Sequence, residues 1–78
     1  MTLLKKLKPD YAYSFIGIGI FEYAKEIVIV TKTFPGSDQF LAYSISSDRK
    51  WDMSLKYISS SWDIEEIGSK EEHPEYWL

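Results

Sequence analysis

The chain has 78 residues, nine basic and twelve acidic side chains, a formal net charge of −3 and no cysteine. That length makes a single domain over 1–78, near the lower limit for a core that supports itself, and the missing thiols exclude both a disulfide framework and a thiolate zinc site. Aromatic mass stands in for them: three Trp, six Tyr and four Phe can each remove a large area from water, and the same excess marks binding surfaces.

Residues 1–8 place Leu3, Leu4 and Leu7 on one helical face. Thr2 is a possible cap and Pro9 a stop, so a short terminal helix is predicted. The next run, Tyr11 to Phe21, reads as a strand. Alternation puts Phe15, Gly17, Gly19 and Phe21 on one face and Ile16, Ile18 and Ile20 on the other. One face is then an isoleucine ridge. The other is a bare trough over which a ring such as Trp51 or Trp62 can lie, so both glycines read as packing positions. Lys5, Lys6 and Lys8 before this run suggest a secretory signal, but Pro9-Asp10 interrupts it and no small-x-small cleavage site follows. The run is also too short to span a bilayer as a helix. A cytoplasmic location is expected.

Ile27 to Thr33 is β-branched at nearly every position and predicts a second strand, paired with the first as an antiparallel hairpin. Phe34-Pro35-Gly36-Ser37-Asp38 has the chemistry of a type II turn. Gln39 to Ser46 resumes as a strand, with Leu41, Tyr43 and Ile45 on one face and Phe40, Ala42 and Ser44 on the other. After the polar turn Ser47–Lys50, Trp51, Met53, Leu55 and Tyr57 alternate with Asp52, Ser54 and Lys56, which predicts a fourth strand through Tyr57. Residues 61–68 fit two patterns. Trp62, Ile64 and Glu66 share one face of a strand; alternatively Ser61 caps a two-turn helix that Gly68 ends. The continued alternation favours the strand. Loop is expected from Ser69, with Tyr76, Trp77 and Leu78 docking back or meeting a partner.

Chemistry-bearing patterns are sparse. His73 is the one histidine and reads as an exposed ring in an acidic tail, not a metal ligand. No serine sits in a strained nucleophile turn. Gly17-Ile18-Gly19 lacks the third glycine and following helix of a phosphate loop. Neither catalytic residues nor a cofactor or metal are expected.

Charge is distributed unevenly. Residues 1–33 hold five lysines against three acids, and residues 34–78 hold four basic groups against nine acids. Lys25, Lys32, Arg49, Lys50 and Lys56 could gather at one rim, but the acidic end repels nucleic acid and attracts basic partners.

The expected fold is therefore mostly β: a small antiparallel sheet or SH3-like barrel of four to five strands in meander order, with a short terminal helix. The alternative is α+β. Two strands apolar on both faces leave more apolar surface than one sheet hides, which argues for barrel closure or a homodimer. The expected function is non-enzymatic: a protein-binding module, an inhibitor or immunity-type protein that masks a basic surface of a partner enzyme. Asp63, Glu65, Glu66, Glu71 and Glu72 would steer it and Trp62, Tyr76 and Trp77 would anchor it. Phage-encoded inhibitors and bacterial immunity proteins share this profile (tiny, acidic, cysteine-free, aromatic), an analogy of composition that assigns no residue a role. The alternative is a small β-barrel binding a small ligand, nucleotide or single-stranded nucleic acid through aromatic side chains.

Overall fold

The computed structural model describes residues 7–19 and 22–77. Its strands are β1 (Tyr11–Gly17), β2 (Lys25–Thr33), β3 (Gln39–Ser44), β4 (Arg49–Ser54) and β5 (Trp62–Ser69). A one-turn helix α1 (Leu55–Ile58) separates β4 from β5, and a short 3-10 helix (Pro74–Trp77) follows. The predicted terminal helix over 1–8 falls largely outside the described residues; Leu7, at its end, is buried in the core.

All pairings are antiparallel, in the order β4-β3-β2-β1-β5. The first four strands make the predicted meander, and β5 returns to pair with β1. Open edges therefore fall at β4 and β5. Yet Trp51 on β4 and Trp62 on β5 have ring centroids 5.8 Å apart. The sheet curls until its edges face one another across a shared ring cluster, which Phe15 completes at 5.2 Å from Trp51. Among the described residues no ladder joins β4 to β5, so this is the curled-sheet form of the expected fold.

Local chemistry explains the elements. Ser37 N–H donates to the Phe34 carbonyl at 3.1 Å with Gly36 at φ +78°, which is the predicted type II turn. Phe40, Ala42 and Ser44 of β3 point into the core as the alternation requires. Ser44 is completely buried, and its hydroxyl donates to the Glu26 carboxylate at 2.6 Å, as does that of Ser47. One carboxylate thereby ties the start of β2 to the β3–β4 turn. That turn begins at Ile45, so β3 ends two residues before the predicted boundary.

Two further strands are shorter than their patterns suggest. β1 ends at Gly17, not Phe21. Gly17 N–H still donates to the Ala24 carbonyl at 2.8 Å, but Gly19 turns the chain at φ +63° and its carbonyl accepts from Glu22 N–H at 3.2 Å. Gly19 is thus a turn residue in a conformation other residues resist, and no two-glycine trough forms. Ile20 and Phe21 lie outside the described residues. β4 stops at Ser54, not Tyr57. The Ser54 hydroxyl accepts from Tyr57 N–H at 3.2 Å as a helix cap, and the Asp38 carboxylate and carbonyl take Lys56 N–H and Leu55 N–H at 2.9 and 2.8 Å. These acceptors reward a helical turn over extension. Leu55 and Ile58, three apart, are buried as a result, while Tyr57 is 72% exposed.

Candidate binding edge

β5 is built by the free edge of β1. Trp62 pairs with Gly17, Ile64 with Phe15 and Glu66 with Tyr13, so these three share the predicted inner face. Asp63 opposite Ile16 and Glu65 opposite Ser14 project from the outer face. A register shift after Ala12, which pairs with Gly68, leaves Ile67 as an extra bulged residue. The strand thus runs through Gly68 to Ser69, past the residue that would have ended a helix.

The candidate side chains divide by what they touch. Trp62 is half-buried and packs on Phe15 at 6.4 Å and on Trp51, so its ring belongs mainly to the core wall. Glu66 accepts from Lys8 Nζ at 3.1 Å, an exchange that raises the lysine pKa above its usual value. Lys8 also lies 4.5 Å from the Tyr11 ring centre, and its backbone N–H donates to the Tyr13 hydroxyl at 2.8 Å. Burial is the main cause that pushes the Tyr13 phenol upward. Glu66 and Lys8 therefore fasten the N-terminal approach to the sheet.

Glu72 closes the turn after β5. Its carboxylate accepts from Ser69 N–H at 3.0 Å and from the Ser69 hydroxyl at 3.1 Å. These two donors hold its carboxyl below the usual 4.5. A depressed carboxyl contributes stability that is complete above its unfolded value and lost as pH falls through the folded one. Acidification below 4.5 should therefore loosen this turn, seen as a lower protection factor of the Ser69 amide relative to its intrinsic exchange rate at each pH, and Glu72→Gln should abolish that change in protection. Equal acid sensitivity in the variant would refute the assignment.

His73 departs from the expected exposed ring. It is half-buried, stacks on Tyr76 at 5.7 Å and approaches Glu75 at 3.4 Å. A Cβ placed on Gly68 would lie 2.7 Å from its Cδ2. Gly68 is therefore a strand glycine that makes room for a ring, and the ring is imidazole. This brings the C-terminal segment back onto the sheet, with Tyr76 and Trp77 half-buried; Leu78 lies outside the described residues. Sequence reasoning missed this contact, although an isolated glycine in a strand pattern is itself a signal of close approach. Among the described residues no three His, Asp or Glu side chains converge on one point.

Asp63, Glu65 and Glu71 form no ion pair among the described residues. Beside Glu71 a cleft of about 590 Å³ opens, lined by Asp10, Tyr11, Ser69, Lys70 and Pro74. The Asp10 carbonyl accepts from Lys70 N–H at 2.8 Å, which sets the two carboxylates Asp10 and Glu71 on one mouth. A second cleft of about 410 Å³ lies between Leu7 and the Pro35-Gly36 turn; its described lining includes Phe34, Asp38 and Phe40 and no lysine or arginine.

No family model, curated protein or solved structure matches this chain. No helix among the described residues is long and apolar enough to cross a membrane.

Proposed function

We infer that the protein is a non-enzymatic binding module whose partner is a basic protein surface, as an inhibitor or immunity-type protein masking an enzyme would be, acting in the cytoplasm. The observation that carries this reading is the line of uncompensated acids on an open edge. Asp63 and Glu65 on β5 lead to Glu71 and the Asp10 cleft, while Glu66 and Glu72 are engaged within the fold. A lysine or arginine of the partner would meet the carboxylates Asp10 and Glu71 at that cleft, which outnumber its own Lys70. Tyr76 and Trp77, half-buried beside it, supply apolar contact.

The reading is tested with the immobilised protein as bait in lysate of the source organism. A partner should be retained at about 0.05 M salt and released near 0.5 M, where surface charges are screened within several Å. Glu65→Lys/Glu71→Lys should weaken retention roughly tenfold or more, and Trp77→Ala should weaken it as well. Retention indifferent to salt and to these changes would overturn the reading. The competing idea of a nucleotide or single strand stacked on the rings has less support, because Phe15, Trp51 and Trp62 pack on one another. A tryptophan fluorescence change on adding oligonucleotide would favour it instead.

A further inference from the structure

The outer face of the sheet is covered unevenly. At the Gly68 end the His73 ring packs over it, and Ala12 and Ile29, which lie outside the core cluster, are nonetheless buried. At the opposite end Ile16, Ile18 and Ile45 are exposed at 36, 36 and 37%. The register arranges this end in rows. Asp63, Ile16 and Lys25 lie side by side across β5, β1 and β2, and the next row is Glu65, Ser14 and Ile27. Ile45 joins at the far side, its N–H donating to the Ile27 carbonyl at 2.8 Å. The order across the strands is acid, isoleucine, lysine.

We propose that this patch is a homodimer interface, on which a second copy of the chain seats its own isoleucine strip about a two-fold axis parallel to the strands. That axis keeps each row opposite the same row and exchanges its two ends. Asp63 then faces the partner's Lys25, and the partner's Asp63 faces Lys25, with Ile16 near the axis. The face is thus self-complementary in charge. Edge-to-edge pairing of two β5 strands lacks this property, since it sets Asp63 and Glu65 of both copies together. With its other end covered by His73, the open part of this face on a molecule of 32 × 29 × 22 Å is smaller than a standard interface of roughly 800 Å² per partner, which places the dimer among weak, micromolar contacts. The proposal shares Asp63 and Glu65 with the basic-partner reading, whose Asp10 and Glu71 lie outside these rows, so Ile16→Asp and Glu71→Lys tell the two apart.

Sedimentation equilibrium of the intact chain decides it. At about 100 µM, well above a micromolar dissociation constant, the mass should be twice 9.1 kDa with no larger species, because an isologous contact closes at two. Ile16→Asp, beside the axis and therefore met from both copies, should raise the dissociation constant tenfold or more, with the circular dichroism of the monomer unchanged. Lys25→Glu and Asp63→Lys should each weaken the dimer, and the double variant should restore it. A single-chain mass at that concentration, a ladder of higher masses, a dimer indifferent to Ile16→Asp, or single-variant losses that the double variant leaves unrepaired would each overturn the proposal.

Discussion

Phe15→Ala should leave most of the protein unfolded at 25 °C. The ring is fully buried at the point where β1 meets both edges of the curled sheet, 5.2 Å from Trp51 and 6.4 Å from Trp62. Removing it costs about 3–5 kcal/mol in transfer and cavity terms. A domain of this size holds roughly 3–5 kcal/mol in all, so the loss is comparable with the whole stability. Ser14→Ala, one residue earlier on the outer face, should change stability by less than about 1 kcal/mol. Urea denaturation followed by circular dichroism compares the pair. Similar midpoints for the two variants would show that the ring cluster is not what holds the edges together.

The second large effect is expected at Gly68. Its φ of +157° is one that side chains resist, and a Cβ there meets His73 Cδ2 at 2.7 Å, Nε2 at 2.9 Å and the Glu72 carboxylate at 3.1 Å. Gly68→Ala should therefore cost about 1–3 kcal/mol in backbone strain alone, with displacement of the docked imidazole added. The two contributions separate experimentally. His73→Ala in the Gly68→Ala background removes the collision but keeps the strained backbone, so it should recover only part of the loss. Full recovery would assign the whole cost to the ring; no recovery would assign it to φ. The His73–Tyr76 stack should also be lost in Gly68→Ala, seen as a shift in the aromatic resonances of both rings.

Much of the sheet was legible because its signals are local. Alternation in Gln39–Ser44 identifies the buried face that Phe40, Ala42 and Ser44 present. Pro35-Gly36 predicts its turn, and β-branching predicts β2. At β4 a local pattern competes with a distant hydrogen-bond partner. Leu55 and Tyr57 continue the alternation of Trp51 and Met53, yet Asp38, far back in the chain, accepts from Leu55 and Lys56 and favours the helical turn. The glycine reading was sound as physics but misplaced. A strand glycine does shelter a ring here, at Gly68 beneath His73, whereas Gly19 turns the chain with nothing within 4 Å of its Cβ position.

The candidate site shows the same division. Composition located the acids in the last third of the chain, and the pairing then sorted them by face and partner. Glu66 looks inward to Lys8, Glu72 looks back to Ser69, and Asp63 and Glu65 look outward beside isoleucine. Alternation separates Asp63 and Glu65 from Glu66, but nothing along the chain identifies Lys8 and Ser69 as partners, and the bulge at Ile67 shifts the phase beyond Glu66 only once β5 is laid against β1.

The sequence by itself determined a small, cysteine-free, mostly β chain with four strands in meander order, the turn at Gly36 and an acidic end, since alternation, turn chemistry and charge act over a few residues. Only the tertiary structure decided that residues 62–69 are strand, because the unpaired edge of β1 offers a ladder that an isolated two-turn helix cannot match. It also decided that the sheet curls over Phe15, Trp51 and Trp62, and which acids remain without a partner. Those outcomes depend on groups far apart in the chain meeting in space, and a pattern read along the chain carries no measure of that distance.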